Sequence, residues 1–201
     1  MILHPGVTGV VLAGGRARRL GGADKAMLRP GNDPRTILAR ILEVFEGRFA
    51  GTVIVAATEE EGRARYAGLS ARVVADDFPG CGPLGGLHAG LGAVATPFAF
   101  VCACDMPSLS PPLIDFMARR AREDTAVVPV RQGRPEPLHA IYPAAWRSAA
   151  GRALDAGVRT MRDFLSGLPV EWLDEQTLAP VDGAARSFTN VNTPEDLEAL
   201  S

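Results

Sequence analysis

The chain is poor in the residues that several common kinds of protein depend on. Its 201 residues include three cysteines and three histidines, and the net charge is −2. Three thiols are an odd number for a disulfide framework. Cys102 and Cys104 alternate along one apolar run, as core residues on one face of a strand do. His4, His88 and His139 show no triad or metal-ligand spacing and read as structural. A nearly balanced charge gives no overall field for nucleic acid or anionic membrane, so any bound anion must be gathered by a local cluster. No apolar run approaches the roughly 20 residues that span a bilayer. The opening MILHPGVTG lacks the basic region, long apolar stretch and cleavage site of a secretory signal, which sets the expectation of a cytoplasmic protein.

What is present suits a folded enzyme-sized unit. Hydrophobic residues make up 47% and charged residues 22%, enough for one globular domain over residues 1–201. Thr8–Leu12, Thr52–Ala56, Arg72–Ala75 and Phe98–Cys104 read as strands. Between them, Ile37, Leu38, Ile41, Leu42 and Phe45 mark a helical stripe within Thr36–Phe45, and Glu59–Ala67 is a polar helix candidate. Pro111–Arg122 opens on prolines and closes on arginines, as a helix should. Further on, Ala126–Val130 and Leu138–Tyr142 flank RQGRPEP as a strand pair. Ala145–Ala156 and Thr160–Leu165 are expected helices, and a last one starts at Pro194 behind Thr193. Alternating strands and helices predict an α/β fold, a mostly parallel twisted sheet with helices on both faces. Ligands of such sheets bind beyond the carboxyl ends of the strands, where the unusual residues collect: 13–25, 76–86 and 105–107.

The first of these loops is built for a polyphosphate. Ala13-Gly-Gly-Arg-Ala-Arg-Arg-Leu-Gly-Gly-Ala-Asp-Lys25 holds four glycines and four cations directly after a buried strand. Glycines let backbone N–H groups approach phosphate oxygens, while Arg16, Arg18, Arg19 and Lys25 offset their charge. A solvated surface loop is the plainer alternative. It is not a Walker A loop, because Lys25 is followed by Ala26 rather than Ser or Thr.

Leu12-Ala-Gly-Gly-Arg-Ala-Arg-Arg-Leu-Gly-Gly-Ala-Asp-Lys25 resembles the signature of the molybdenum cofactor guanylyltransferases. The resemblance continues through Gly82-Pro-Leu-Gly-Gly86, Cys104-Asp-Met-Pro107 and Asn190-Val-Asn-Thr-Pro-Glu-Asp-Leu197, in order across nearly the whole chain. It implies a three-layer, Rossmann-like nucleotidyltransferase fold. It further implies a reaction in which GMP passes from Mg²⁺-GTP to the terminal phosphate of molybdopterin. Family resemblance puts Leu12, Ala13, Gly14, Gly15, Lys25, Asp76 and Asp105 at the nucleotide. Arg19, Gly22, Gly82, Gly86, Asn190 and Asn192 fall at the molybdopterin side, Asp105 on Mg²⁺, and Lys25, Asp105 and Arg19 in catalysis. A monomer is expected, in transient contact with other cofactor-biosynthesis proteins or molybdoenzyme chaperones.

The residues have their own chemistry beside that resemblance. Asp105 leaves an apolar strand before Met106-Pro107, where a carboxylate can bind Mg²⁺ or merely cap a turn. An ionised phosphate needs no serine, cysteine or histidine nucleophile, so the protein's task is alignment and charge stabilisation. Where the resemblance puts guanine, the Asp76 carboxylate suits its N1–H and N2–H₂ donors, the alternative being a strand-end aspartate in a turn. Where it puts the pterin, asparagine amides suit its edge, and Asn190 and Asn192 can equally shape the entry to the last helix. One departure stands out. The family often has asparagine at the end of its second strand, whereas here the residues are Val55-Ala56-Ala57-Thr58. Thr58, a backbone group or water must take that contact, or guanine selectivity is weaker. A literal dinucleotide fingerprint, Gly80-Cys-Gly-Pro-Leu-Gly85, offers a rival NAD-binding reading, but it does not directly follow a strand and leaves the cationic loop unexplained.

Overall fold

The computed structural model describes residues 2–14 and 24–200. Among these, eight strands form one sheet. The chain starts in its middle with β1 (Val7–Leu12), an almost wholly buried run. It moves outward through β2 (Thr52–Ala56) to β3 (Arg72–Ala75), then returns to the other side of β1 as β4 (Phe98–Ala103). These four are parallel, with Leu12 opposite both Val55 and Ala103. Beyond β4 come β5 (Ala126–Arg131), its short hairpin partner β6 (Arg134–Pro135), β7 (His139–Pro143) and β8 (Val170–Leu173). The sheet order is β3-β2-β1-β4-β7-β5-β6, with β8 parallel to β5 and β7 antiparallel to β4. The sheet is thus parallel where the motifs lie and mixed towards one side.

Helices cover both faces. On one, α1 (Ile37–Phe45) and α4 (Pro111–Ala118) bury Ile37, Leu38, Ile41, Leu113 and Met117 around the rings of Phe45, Phe49 and Phe100. Phe45 meets Phe49 and Phe100 edge-on at 5.0 and 5.7 Å. On the other, α3 (Pro83–Ala93), α5 (Arg147–Asp155) and α6 (Met161–Leu165) pack Leu84, Leu87, Leu154 and Phe164 against Val10, Val101, Tyr142 and Trp146. Each fully buried side chain of this kind contributes about 1.5–3 kcal/mol. The acidic-then-basic α2 (Glu59–Tyr66) lies beside β3, capped by Thr58. Two short helices, α7 (Glu175–Leu178) and α8 (Ala184–Ser187), precede α9 (Pro194–Glu198), where Thr193 and Asp196 form a capping box.

The helix expected over 111–122 ends at Ala118, and sequence pattern missed α3 altogether. Four of its eleven residues, Gly85, Gly86, Gly90 and Gly92, are glycine, which reads as loop. Packing explains them. A β-carbon on Gly90 would lie 2.7 Å from Val10, and one on Gly86 3.3 Å from Leu12. The glycines let the helix lie close on β1, and burial overrides their poor propensity. No helix among the described residues is long and apolar enough to cross a membrane.

Candidate active site

The order of the sheet dictates where a ligand fits. The path leads away from β1 on one side to β3 and resumes on the other at β4, so a crevice opens beyond the carboxyl ends of β1 and β4. A cavity of about 440 Å³ occupies it, within the range of small-molecule sites. Leu12 at the end of β1 and Gly14 just beyond it, Ala56 at the end of β2 and Ala57 after it, Asp76 after β3 and Asp105 after β4 all line it, with Lys25.

Lys25 opens a short 3-10 turn whose N-cap is Asp24. The Asp24 carboxylate accepts from Ala26 N–H at 3.0 Å and from the Tyr66 hydroxyl at 2.9 Å. Burial, and then the Asp24 charge, push the Tyr66 phenol far above its ordinary value, so it remains a donor. A buried ring on α2 thereby fixes the turn that aims the lysine. Lys25 Nζ lies 2.8 Å from Asp105 Oδ2 and 2.8 Å from Asn192 Oδ1. The two charged side chains keep 16% and 18% of their surface exposed, enough to meet a ligand while water is mostly excluded. The tail carrying Asn192 is tied to the same place, because Val191 N–H donates to the Asp105 carbonyl at 2.9 Å.

Asp76 occupies another part of the wall. Its Oδ1 accepts from Phe78 N–H at 2.8 Å, and burial, more than any neighbour, raises its carboxyl above the ordinary aspartate range. Gly85 passes so close that a β-carbon there would meet both Asp76 oxygens, at 2.8 and 3.0 Å. This explains the third glycine of the text-level dinucleotide fingerprint. Gly82, with φ of +70°, starts α3 and brings its N-terminus to the cavity, behind a loop rather than directly behind β3. Positive helix-end polarity at that wall favours anions.

The sequence-derived residues divide clearly. Leu12, Gly14, Lys25, Asp76, Gly82, Gly86 and Asp105 all line the cavity, and Asn192 joins through Lys25. Ala13 faces the core, its N–H donating to Val55, and Asn190 is exposed off the wall. Gly15, Arg16, Arg18, Arg19 and Gly22 lie outside the described residues. Thr58 is spoken for, since its hydroxyl accepts from Glu61 N–H at 3.1 Å as the cap of α2, and it does not line the cavity. At the Ala56 departure the wall is backbone, with Gly14 and Ala57 closely apposed. Pro83 of the Gly82–Gly86 motif also lines the cavity, as do Pro79 and Leu138, apolar residues without chemistry that would have singled them out. The histidines stay off the wall: His4 pairs with Asp115, His88 meets Phe78 edge-on, and His139 is buried. Among the described residues no three His, Cys, Asp or Glu side chains gather as a metal cluster.

A parallel-sheet switch point with a glycine-walled cavity and a lysine–aspartate pair defines an α/β enzyme that handles a nucleotide. Residues 9–173 match the family model described as MobA-like NTP transferase domain. A probable molybdenum cofactor guanylyltransferase of Natronomonas pharaonis is 36% identical over 196 residues, covering 95% of each chain. The molybdenum cofactor guanylyltransferase of Desulfosudis oleivorans is 35% identical over 193 residues, 96% of this chain and 93% of the other. The crystal structure of molybdopterin-guanine dinucleotide biosynthesis protein A from Archaeoglobus fulgidus superimposes with a TM-score of 0.80 at 28% identity over 94% of both chains. A Thermus thermophilus 2-C-methyl-D-erythritol 4-phosphate cytidylyltransferase shares the fold, with a TM-score of 0.67 at 20% identity over 94% of both chains. This chain belongs to the MobA-like NTP transferase family and is a nucleotidyltransferase.

Proposed function

We propose that the chain, acting as one catalytic domain, joins GMP from GTP to the terminal phosphate of molybdopterin. An ionised phosphate oxygen of the acceptor attacks the α-phosphorus of GTP. A new phosphoanhydride bond forms there as the bond to the β-phosphate breaks, and pyrophosphate leaves. No proton has to be removed from the nucleophile, so the protein aligns the two phosphates and stabilises charge. The observation that carries this reading is the Lys25–Asp105 pair on the cavity wall, with Asn192 bonded to Lys25.

In this role Lys25 neutralises GTP phosphates, and Arg19 serves the acceptor side. Asp76 accepts the two guanine donors, helped by the Leu12–Gly14 backbone where Ala56 offers no amide. Gly82, Gly86 and the two asparagines, Asn190 and Asn192, border molybdopterin. A single carboxylate, Asp105, suits Mg²⁺, which takes one or two protein ligands and completes its shell with water and phosphate oxygens. When bound it supplies charge neutralisation on the transferring phosphates.

Ligand-dependent melting tests the reading, because a ligand held by the native state raises stability. With Mg²⁺, GTP is expected to raise the melting temperature more than CTP, ATP or NAD. Equal shifts, or a larger one with CTP or NAD, would overturn the guanine assignment.

A further inference from the structure

Three fully buried polar side chains, Ser110, Ser187 and His139, lie outside the cavity wall and are joined. Ser110 caps α4, and its N–H donates to Ser187 Oγ at 2.8 Å. Its own hydroxyl donates to the Asp182 carbonyl at 2.7 Å. With one lone pair of Ser187 so engaged, its hydroxyl hydrogen has His139 Nε2 as partner, 2.7 Å away. Burial depresses the His139 pKa to about 4, consistent with a neutral ring that accepts at Nε2. The ring sits edge-on to Phe100 and tilted against Phe188, at 5.1 and 4.9 Å, while its Nδ1 has no hydrogen-bond partner among the described residues. An apolar side chain would fill that slot without the unpaired nitrogen, as Ala140 and Ile141 do next to it. The polar group therefore needs a reason beyond packing.

The chain path supplies one. Asp105 to Ser110 and Asp182 to Asn192 run side by side, fastened at one end by the two serines and at the other by the Val191–Asp105 backbone bond. Asn192, the residue after Val191, carries this tail to Lys25. We propose that Ser110, Ser187 and His139 form a clamp that positions Asn192 against Lys25 and Asp105, making them positioning residues for the acceptor half of the site. This rests on the guanylyl-transfer reading above.

The test is a double-mutant cycle on GMP transfer to molybdopterin with Mg²⁺-GTP, comparing Ser187→Ala, Asn192→Ala and the pair, normalised to folded protein. Ser187→Ala is expected to lower kcat/KM for molybdopterin about tenfold, with KM for GTP unchanged. The double variant is expected to match Asn192→Ala alone, because the clamp acts through that side chain. His139→Gln, which keeps an acceptor, should recover most of what His139→Leu loses; that pair carries the same cycle if Ser187→Ala does not fold. Losses that multiply in the double variant, or GTP and molybdopterin parameters that fall together, would overturn the clamp. Wild-type enzyme that makes no product would instead overturn the transferase reading on which it stands.

Discussion

At the scale of single residues, the site depends on groups whose environment differs from that in water. Burial raises the Asp76 carboxyl, yet only the ionised form accepts both guanine donors. A raised pKa keeps the proton on to higher pH, so GTP binding is expected to weaken on acidification while an ordinary aspartate would still be charged. Titrating GTP affinity against pH for wild type and Asp76→Ala checks this; identical profiles would remove Asp76 from base recognition. Tyr66 gives a second case, since its hydroxyl is one of the donors holding Asp24 beside Lys25. Tyr66→Phe removes that bond and leaves the ring, with an expected loss of about 1 kcal/mol or more in stability. The same change should lower kcat, read by steady-state transfer; an unchanged kcat would show that Lys25 needs no such anchor. Cysteines differ likewise. Burial pushes Cys104 up to about 12 and Cys102 well above its ordinary value, whereas Cys81 is partly exposed beside the cavity loop. One thiol per native chain should therefore alkylate, at Cys81, and GTP should slow it.

At the scale of elements, α3 shows what a sequence conceals. The strands were legible because central parallel strands are continuous apolar runs, and α1 because its stripe repeats at helical spacing. A glycine-rich helix has neither signal, and its logic lies in the distance to β1. That distance makes a contrast. Gly90→Ala would force a methyl against the buried Val10, which costs about 1–3 kcal/mol and exceeds the gain in helix propensity. Gly92→Ala meets only the end of the Arg147 side chain, which can swing away, and should stabilise by up to about 1 kcal/mol. Urea unfolding of the two variants reads the signs directly; the same sign for both would refute this account of the glycines. β8 was missed for a different reason. Val170–Leu173 is short and carries Glu171 and an exposed Trp172, so its pattern is too brief to separate from a loop.

At the scale of the molecule, the site is assembled from pieces far apart in the chain. Asp105 was readable as a carboxylate at the end of an apolar run, where position alone leaves Mg²⁺ binding and turn-capping close and the resemblance decides. Lys25 was readable as one of four cations in a glycine-rich loop. Their pairing with Asn192, 167 residues from Lys25, was not, since only the sheet order brings the tail across β4. Ser187 was invisible for the same reason, since a buried serine gives no periodic signal until its partners are in space, and His139 was legible only as a structural residue. The sheet thus brings three separated motifs to one cavity, with Asn192 of the fourth joined through Lys25, and charge on its wall is what transfer requires. Product formation tests that claim most directly. Wild-type protein with GTP, Mg²⁺ and molybdopterin should release pyrophosphate and yield the guanine dinucleotide in equal amounts. Asp105→Asn, folded and melting normally, should yield none. Near-normal turnover by that variant, or a wild type that prefers CTP, would contradict the account.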